Sequence, residues 1–238
     1  MTVAWCASMS AMGGMPMPGG WTMSMAWMRM PGQSGPGAAA AFLAMWMGMM
    51  AAMMLPSLVP MLWRYREAVR GRERHLGGMT TVAGAGYFFV WMAIGLAVFP
   101  LGVALAGMAM RNPALSRAVP LAAGGVVLVA GLLQLTAWKA RHLACCRELP
   151  GRGRTLPAGA RAAWRHGLRL GIHCAQSSIG GMAILLATGV MNVGVMTAVA
   201  AAITAERLAP AGERVARGVG IATLAAGLFL VVRAAWPG

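Results

Sequence analysis

The stretch AAAAFLAMWMGMMAAMMLPSLVPMLW, residues 38–63, contains no charged residue and is followed at once by Arg64. A helix that crosses a bilayer needs about 20 apolar residues, so this stretch is long enough to span a membrane. Similar apolar runs recur along the chain. The longest, residues 168–205, would overshoot the bilayer as one straight helix, and we divide it near Gly189. The sequence therefore predicts an all-α, polytopic transmembrane helix bundle of about six spans, near residues 38–63, 80–108, 113–138, 167–188, 190–207 and 216–236.

The composition supports a membrane protein and excludes several other classes. Of the 238 residues, 59% are hydrophobic and 11% are charged, and the mean hydropathy is +0.67. A soluble domain of this length could not bury so much apolar surface. The net charge of +15 lies in short connections between apolar runs, so we expect no nucleic-acid partner. The chain has no aspartate and none of the common catalytic motifs, so we do not expect an enzyme.

Lysine and arginine are distributed unevenly among the connections. Residues 64–75 carry five arginines, residues 139–169 carry eight basic residues, and residues 207–217 carry three, whereas the alternate connections carry few. Positively charged loops remain in the cytoplasm, so these three connections are predicted to lie inside. We therefore expect a multi-pass protein of the inner (cytoplasmic) membrane with residues 1–37 outside and residues 38–238 forming the transmembrane domain.

The predicted outer segment, residues 1–37, is rich in methionine, glycine and proline. It contains three Met-x-Met pairs with Trp21 and Trp27 between them, and residues 1–61 hold 16 of the 23 methionines. Thioether sulfur is a soft ligand that favours Cu(I), which gives one interpretation of this clustering. In the other interpretation, the methionines and tryptophans lie at the lipid headgroups and bind no metal.

The first span raises the same question, because leucine would fill the same volume as methionine. We expect most of its methionines to be buried packing residues. A subset at the outer end of the span is placed to continue a site that begins in the N-terminal segment. The predicted outer thioether site consists of Met23, Met25, Met28, Met30, Met45, Met49 and Met50.

Histidine and cysteine recur near the predicted cytoplasmic ends of the third and fourth spans. His142 and Cys146 are four residues apart, so they share a face if the third span continues as a helix, and His173 and Cys174 open the fourth span. Neutral imidazole and thiolate are suitable ligands for Cu(I) or Zn(II). These four residues form the predicted inner site. The alternative is that the histidines are solvated or capping groups and the cysteines are small apolar residues.

Few polar residues interrupt the predicted spans. Gln134 and Asn192 are expected to form hydrogen bonds between helices, as amides in membranes usually do. Glu206 and Arg207 are interpreted as the interface end of a span.

Several ordered motifs resemble a known bacterial family. They are PGGWTMSMAWMRMPGQS at residues 18–34, MWMGMMAAMMLPSLVPMLWRYR at 45–66, AGLLQLTAWKARHLACCRELP at 130–150, HCAQSSIGGM at 173–182 and AERL at 205–208. Together they resemble an uncharacterised family of predicted metal-binding integral membrane proteins, sometimes labelled copper chaperones. The resemblance covers roughly residues 15–210 and implies a metal-related role.

The chain departs from the pattern of this family at three places. Relatives usually have a Cys-x3-Cys pair after the motif lysine, whereas here Lys139 is followed by His142 and Cys146. Relatives usually have a Cys-Cys pair in the later motif, whereas here Cys174 is followed by Ser177-Ser178. Relatives also tend to begin with a further transmembrane helix, and the first residues here are too short to form one.

Three functions are compatible with these patterns. The first is a membrane protein that binds a soft metal ion and hands it over, with Cu(I) as the expected metal and zinc as the second choice. The second is an inward metal transporter, and the third is a structural or assembly subunit of a membrane complex without metal. The expected partners are the lipid bilayer and, for the first function, a periplasmic metal-carrying protein or a membrane metalloenzyme.

Overall fold

In the residues that it describes, the computed structural model is all-α, as the sequence predicts, apart from one short hairpin. It describes residues 15–18, 20–24, 27–28, 32–70, 75–148, 159–189 and 192–236, with the side chains of residues 146–148 excepted. In these ranges the elements are β1 Met15–Met17, β2 Trp21–Met23, α1 Gly35–Val69, α2 Leu76–Arg111, α3 Pro113–Gln134, α4 Ala137–Glu148, α5 Ala160–Thr188, α6 Val193–Leu208 and α7 Gly212–Ala235.

Five helices, α1, α2, α3, α5 and α7, are long and apolar enough to cross a membrane. The predicted count of six spans is therefore one too high in the described part of the chain. The excess span is the one expected at residues 190–207, where α6 has 16 residues. At about 1.5 Å per residue this helix is about 24 Å long, shorter than the roughly 30 Å hydrocarbon core.

Side-chain caps and glycine explain where several helices begin and end. The Ser34 hydroxyl accepts a hydrogen bond from the Gly37 backbone at 3.2 Å at the start of α1, and the Asn192 side chain accepts one from Val195 at 3.1 Å at the start of α6. Gly189, with φ of 112°, ends α5 in a conformation that other residues rarely adopt. The long apolar stretch is thus divided into α5 and α6 at this glycine.

The third apolar run is also divided. Helix α3 ends at Gln134, and the short helix α4 begins at Ala137. His142 and Cys146 therefore belong to α4 rather than to a continuation of α3, and their four-residue spacing still falls within one helix. Glycines bring α3 and α7 together: a Cβ atom at Gly124 would lie 2.8 Å from Val231 Cγ2.

The interior lies between α1, α2, α5 and α6. It is rich in sulfur, because the buried methionines of α1 all belong to one cluster with Met182 and Cys174; they are Met45, Met49, Met50, Met53, Met54 and Met61. Trp46 is fixed within this cluster by a hydrogen bond of 2.9 Å from its Nε1 to the Trp91 carbonyl. Six of the seven methionines of the first span are therefore buried, as the sequence predicts.

The N-terminal hairpin lies against the turn between α2 and α3. Its strands pair Met15 with Met23 in antiparallel register. Trp21 Nε1 donates to the Ser116 carbonyl at 2.9 Å, and the Ser116 hydroxyl donates to the Pro18 carbonyl at 2.9 Å. These two hydrogen bonds join residues almost a hundred positions apart, so the hairpin is attached to the helical bundle.

Candidate metal centre

The thiol of Cys174 belongs to the sulfur-rich interior and is fully buried. Its Sγ atom is 3.9 Å from the thioether sulfur of Met54 on α1 and 2.8 Å from the hydroxyl of Tyr87 on α2. Metal–sulfur bonds of about 2.3 Å, as in zinc sites, allow two sulfurs up to about 4.6 Å apart to contact one ion. Cys174 and Met54 can therefore share a soft metal ion without a large movement of the helices.

The guanidinium of Arg207 reaches the same thiol from α6. Its Nη2 atom is 3.0 Å from Cys174 Sγ, 3.3 Å from the Cys174 carbonyl, 3.1 Å from the Ser177 hydroxyl and 2.9 Å from the Ser178 hydroxyl. Its Nη1 atom donates to the Ser57 hydroxyl at 3.0 Å. One cation thus connects α6 to both α1 and α5.

The two serines after Cys174 are held by the helix that carries them. The Ser177 and Ser178 hydroxyls donate to the Cys174 carbonyl at 2.9 and 2.8 Å. Because each hydroxyl proton is used in this way, the oxygen lone pairs remain for Arg207. Ser177 and Ser178 therefore supply hard oxygen acceptors here, and Cys174 supplies the thiol.

A buried ion pair lies beside this centre. Lys139 Nζ is 2.8 Å from Glu206 Oε2, and the side chains are 5% and 3% exposed. Gln134 donates to the other carboxylate oxygen at 2.6 Å, and Lys139 also donates to the Ser177 carbonyl. The expected interhelical hydrogen bond of Gln134 is confirmed. Partners from α3, α4 and α5 replace the water that these charges lose on burial.

His142 and His173 form a separate pair between α4 and α5. Their Nδ1 atoms are 3.5 Å apart, and the edge of Trp138 packs against His142. Two nitrogens bound to one tetrahedral ion at about 2.0–2.1 Å are about 3.3–3.4 Å apart, so the pair has a spacing that a metal ion could use. Burial, followed by the positive charges of His173 and Arg141, lowers the pKa of His142 from its ordinary value. The neutral ring is the form that binds metals.

The four residues of the predicted inner site do not all meet in the structure. His142 and His173 are brought together, whereas Cys174 faces Tyr87, Met54 and Arg207. Successive residues of a helix point about 100° apart, which explains why His173 and Cys174 face different neighbours. The Cys146 side chain lies outside the described residues, and Cys145 beside it is exposed. Within the described part of the chain, no group of three or more His, Cys, Asp or Glu residues could hold a metal ion.

Four residues of the predicted outer site are buried, and they lie in two clusters. Met45, Met49 and Met50 belong to the sulfur-rich interior, and Met23 is buried against Ala106 and Ala109 on α2. Trp27 borders both clusters. Met28 is half-buried, and Met25 and Met30 lie outside the described residues. The outer site stays a prediction.

The sequence interpretation missed the charged residues of the centre. Glu206 and Arg207 were interpreted only as the end of a span, but they are 2% and 5% exposed and therefore lie among protein partners. Lys139, Tyr87 and Met54 were also not recognised as neighbours of Cys174 and Glu206. One signal was available: adjacent opposite charges directly after an apolar run require partners if that run lies inside a bundle.

The fold and the centre together define an all-α bundle with membrane-length apolar helices and a buried site of sulfur, hydroxyl and guanidinium groups. The family model PpoB2, described as copper chaperone, matches residues 43–230. The chain therefore belongs to this copper chaperone family, which supports a copper-related role. No curated protein and no solved structure matches the chain.

Proposed function

We propose that the protein binds Cu(I) inside its helical bundle and hands it to another protein. The observation that carries this proposal is the buried pair of Cys174 Sγ and Met54 Sδ, 3.9 Å apart, in a chain of the copper chaperone family. Thiolate and thioether are soft ligands, and Cu(I) is the soft ion that they select. The buried methionines of α1 extend this sulfur environment toward the hairpin end of the bundle.

The handover belongs to the proposal because this ligand set is small. Two sulfur ligands hold a metal ion in a form that a partner with more sulfur or imidazole ligands can remove. The proposed partner is a periplasmic metal-carrying protein or a membrane metalloenzyme, and the proposed location is the inner membrane with the hairpin outside. No catalytic role is proposed. The proposed function requires only that the Cys174 sulfur binds copper and releases it to the partner.

A second candidate function is inward transport of the metal. It is favoured by the spacing of the buried α1 methionines, because Met45 and Met61 are 16 residues apart along one helix. At about 1.5 Å per residue these side chains cover about 24 Å, a large part of the bilayer core. Vesicles with the reconstituted protein and a Cu(I) indicator inside distinguish the two functions. Protein-dependent copper uptake supports transport, and binding without uptake supports handover.

Metal analysis of the purified protein tests the proposal directly. The protein is loaded with Cu(I) under reducing conditions in detergent, and bound copper per chain is measured together with the copper–sulfur signal in X-ray absorption. Cys174→Ala and Met54→Leu each remove one of the two sulfur ligands, so each is expected to bind less copper and to show a weaker copper–sulfur signal. Cys145→Ala and Met53→Leu are matched controls, because Cys145 is exposed and Met53 is as deeply buried as Met54. Equal copper binding by all four variants and the parent would refute the site.

A further inference from the structure

We infer that the guanidinium of Arg207 is a built-in substitute for the metal ion: it holds the Cys174 centre closed without copper and must leave when Cu(I) binds. The inference rests on the proposed function. Its first support is the crowding around one nitrogen. Nη2 carries two hydrogens, yet four acceptors lie between 2.9 and 3.3 Å from it. Such a set of converging acceptors is a cation site, and Arg207 occupies it.

The chemistry of the acceptors gives the second support. The Ser177 and Ser178 hydroxyls donate their protons to the Cys174 carbonyl, so they present lone pairs to the centre. The thiol of Cys174 adds a soft ligand on the same side, and the thioether of Met54 lies 3.9 Å beyond it. The centre thus attracts a positive charge whether this charge belongs to a guanidinium or to a metal ion.

Both cations approach Cys174 at the same atom. Nη2 is 3.0 Å from the sulfur, so an ion bound to that sulfur would lie within a few ångströms of the guanidinium, and the two positive charges compete for the sulfur in a buried site. When Cu(I) binds, the Cys174 sulfur forms a bond to copper, the thiol proton leaves to water, and the oxidation state of copper does not change. Arg207 then gives up its contact with the sulfur.

The position of Arg207 in the fold permits this movement. It is the residue before Leu208, the last residue of α6, and the chain then turns before α7 begins at Gly212. Its neighbour Glu206 is held by Lys139 and Gln134 and fixes the end of the helix. The long side chain of Arg207 can therefore move while α6 remains in place. Its return would displace copper and assist delivery to a partner.

The test compares the Cu(I) affinity and release rate of Arg207→Gln with those of the parent, by competition with a chromophoric Cu(I) chelator. Removal of the competing cation should tighten binding by about tenfold or more and slow release. Arg214→Gln is the matched control, because Arg214 is exposed, and it should behave as the parent does. Equal or weaker binding by Arg207→Gln, with the parent binding copper through Cys174, would overturn the inference but leave the proposed function intact. No binding by the parent would overturn the proposed function itself.

A second measurement keeps the inference testable if Arg207→Gln does not fold. The parent protein is treated with an arginine-specific dicarbonyl reagent, with and without Cu(I), and the modification of Arg207 is measured by mass spectrometry. Copper should increase this modification several-fold, because the guanidinium leaves the buried centre. The modification of Arg214 should not change. An equal rate at Arg207 with and without copper would contradict the inference.

Discussion

Charged side chains inside an apolar bundle persist only where partners replace their water. Glu206 and Arg207 are adjacent, yet they meet this condition on different sides of α6: Glu206 contacts Lys139 and Gln134, and Arg207 contacts Cys174 and three serine hydroxyls. The sequence shows both charges after an apolar run. It could not show their burial, because their partners come from helices that are distant along the chain.

The Lys139–Glu206 ion pair gives a prediction for a single residue. Glu206→Gln keeps the shape of the side chain but removes the carboxylate charge that faces Lys139 at 2.8 Å. Loss of one partner of a buried pair costs about 3–5 kcal/mol. We therefore expect the Tm of the purified protein in detergent to fall by about 10 °C. The control Glu213→Gln changes an exposed carboxylate and should leave the Tm within about 2 °C of the parent value.

The double variant Lys139→Met/Glu206→Gln separates the ion pair from other effects of the substitution. It removes both charges, so it should recover part of the Tm that Glu206→Gln loses, because paired residues are not additive. A double variant that melts well below the single variant would mean that Lys139 stabilises the bundle through other contacts, such as its hydrogen bond to the Ser177 carbonyl.

At the scale of the elements, the apolar runs predicted where the long helices lie, whereas the residues near the helix ends did not predict where α3 ends and α6 begins. The apolar runs at residues 38–63 and 80–108, and residues 216–235 of the last run, lie within helices of membrane length. The break between α3 and α4 was missed, because the residues around Leu135 carry no strong helix-ending signal in the sequence. The shortness of α6 was also missed. Its start depends on the Asn192 cap, which the apolar composition does not reveal.

The clustering of the methionines of α1 predicted their burial but not their role. Their clustering was compatible with packing and with metal binding, and the structure places Met45, Met49 and Met50 in the core without excluding either role. Volume and apolarity are shared with leucine, so burial alone does not distinguish a ligand from a packing residue. The sulfur atom is the one difference between the two side chains, and it defines the experiment.

Replacement of Met45, Met49 and Met50 by leucine tests the predicted outer thioether site on α1. Met-to-Leu changes in a core usually cost less than about 1.5 kcal/mol each, so folding and membrane insertion should be preserved. The number of Cu(I) ions bound per chain should fall, while the Cys174 centre keeps its copper–sulfur signal. The control replaces Met108 and Met110, which are about half exposed on α2, and should bind as much copper as the parent. Unchanged binding by the triple variant would make these methionines packing residues.

At the scale of the whole molecule, the two ends of α1 mark two ends of the bundle. The hairpin is joined to Ser116 near the α2–α3 turn, and Trp27 packs on Phe42 near the start of α1. Arg207 contacts Ser57 in the second half of α1, the half that ends in the arginine-rich turn. Which end of the bundle faces the cytoplasm is a prediction from the charge of the connections.

Cysteine labelling in intact cells tests this orientation. Ala114 is exposed at the start of α3, so Ala114→Cys places a probe at the hairpin end, and native Cys145 is an exposed probe on α4. Cys6 and Cys146 are replaced by serine, and Cys174 needs no replacement because it is fully buried. A membrane-impermeant thiol reagent should modify Ala114→Cys in intact cells and Cys145 only after the membrane is opened. The asymmetry of lysine and arginine sets this expectation, because positively charged loops are retained inside. Modification of Cys145 but not of Ala114→Cys in intact cells would invert the topology, and the hairpin would then face the cytoplasm.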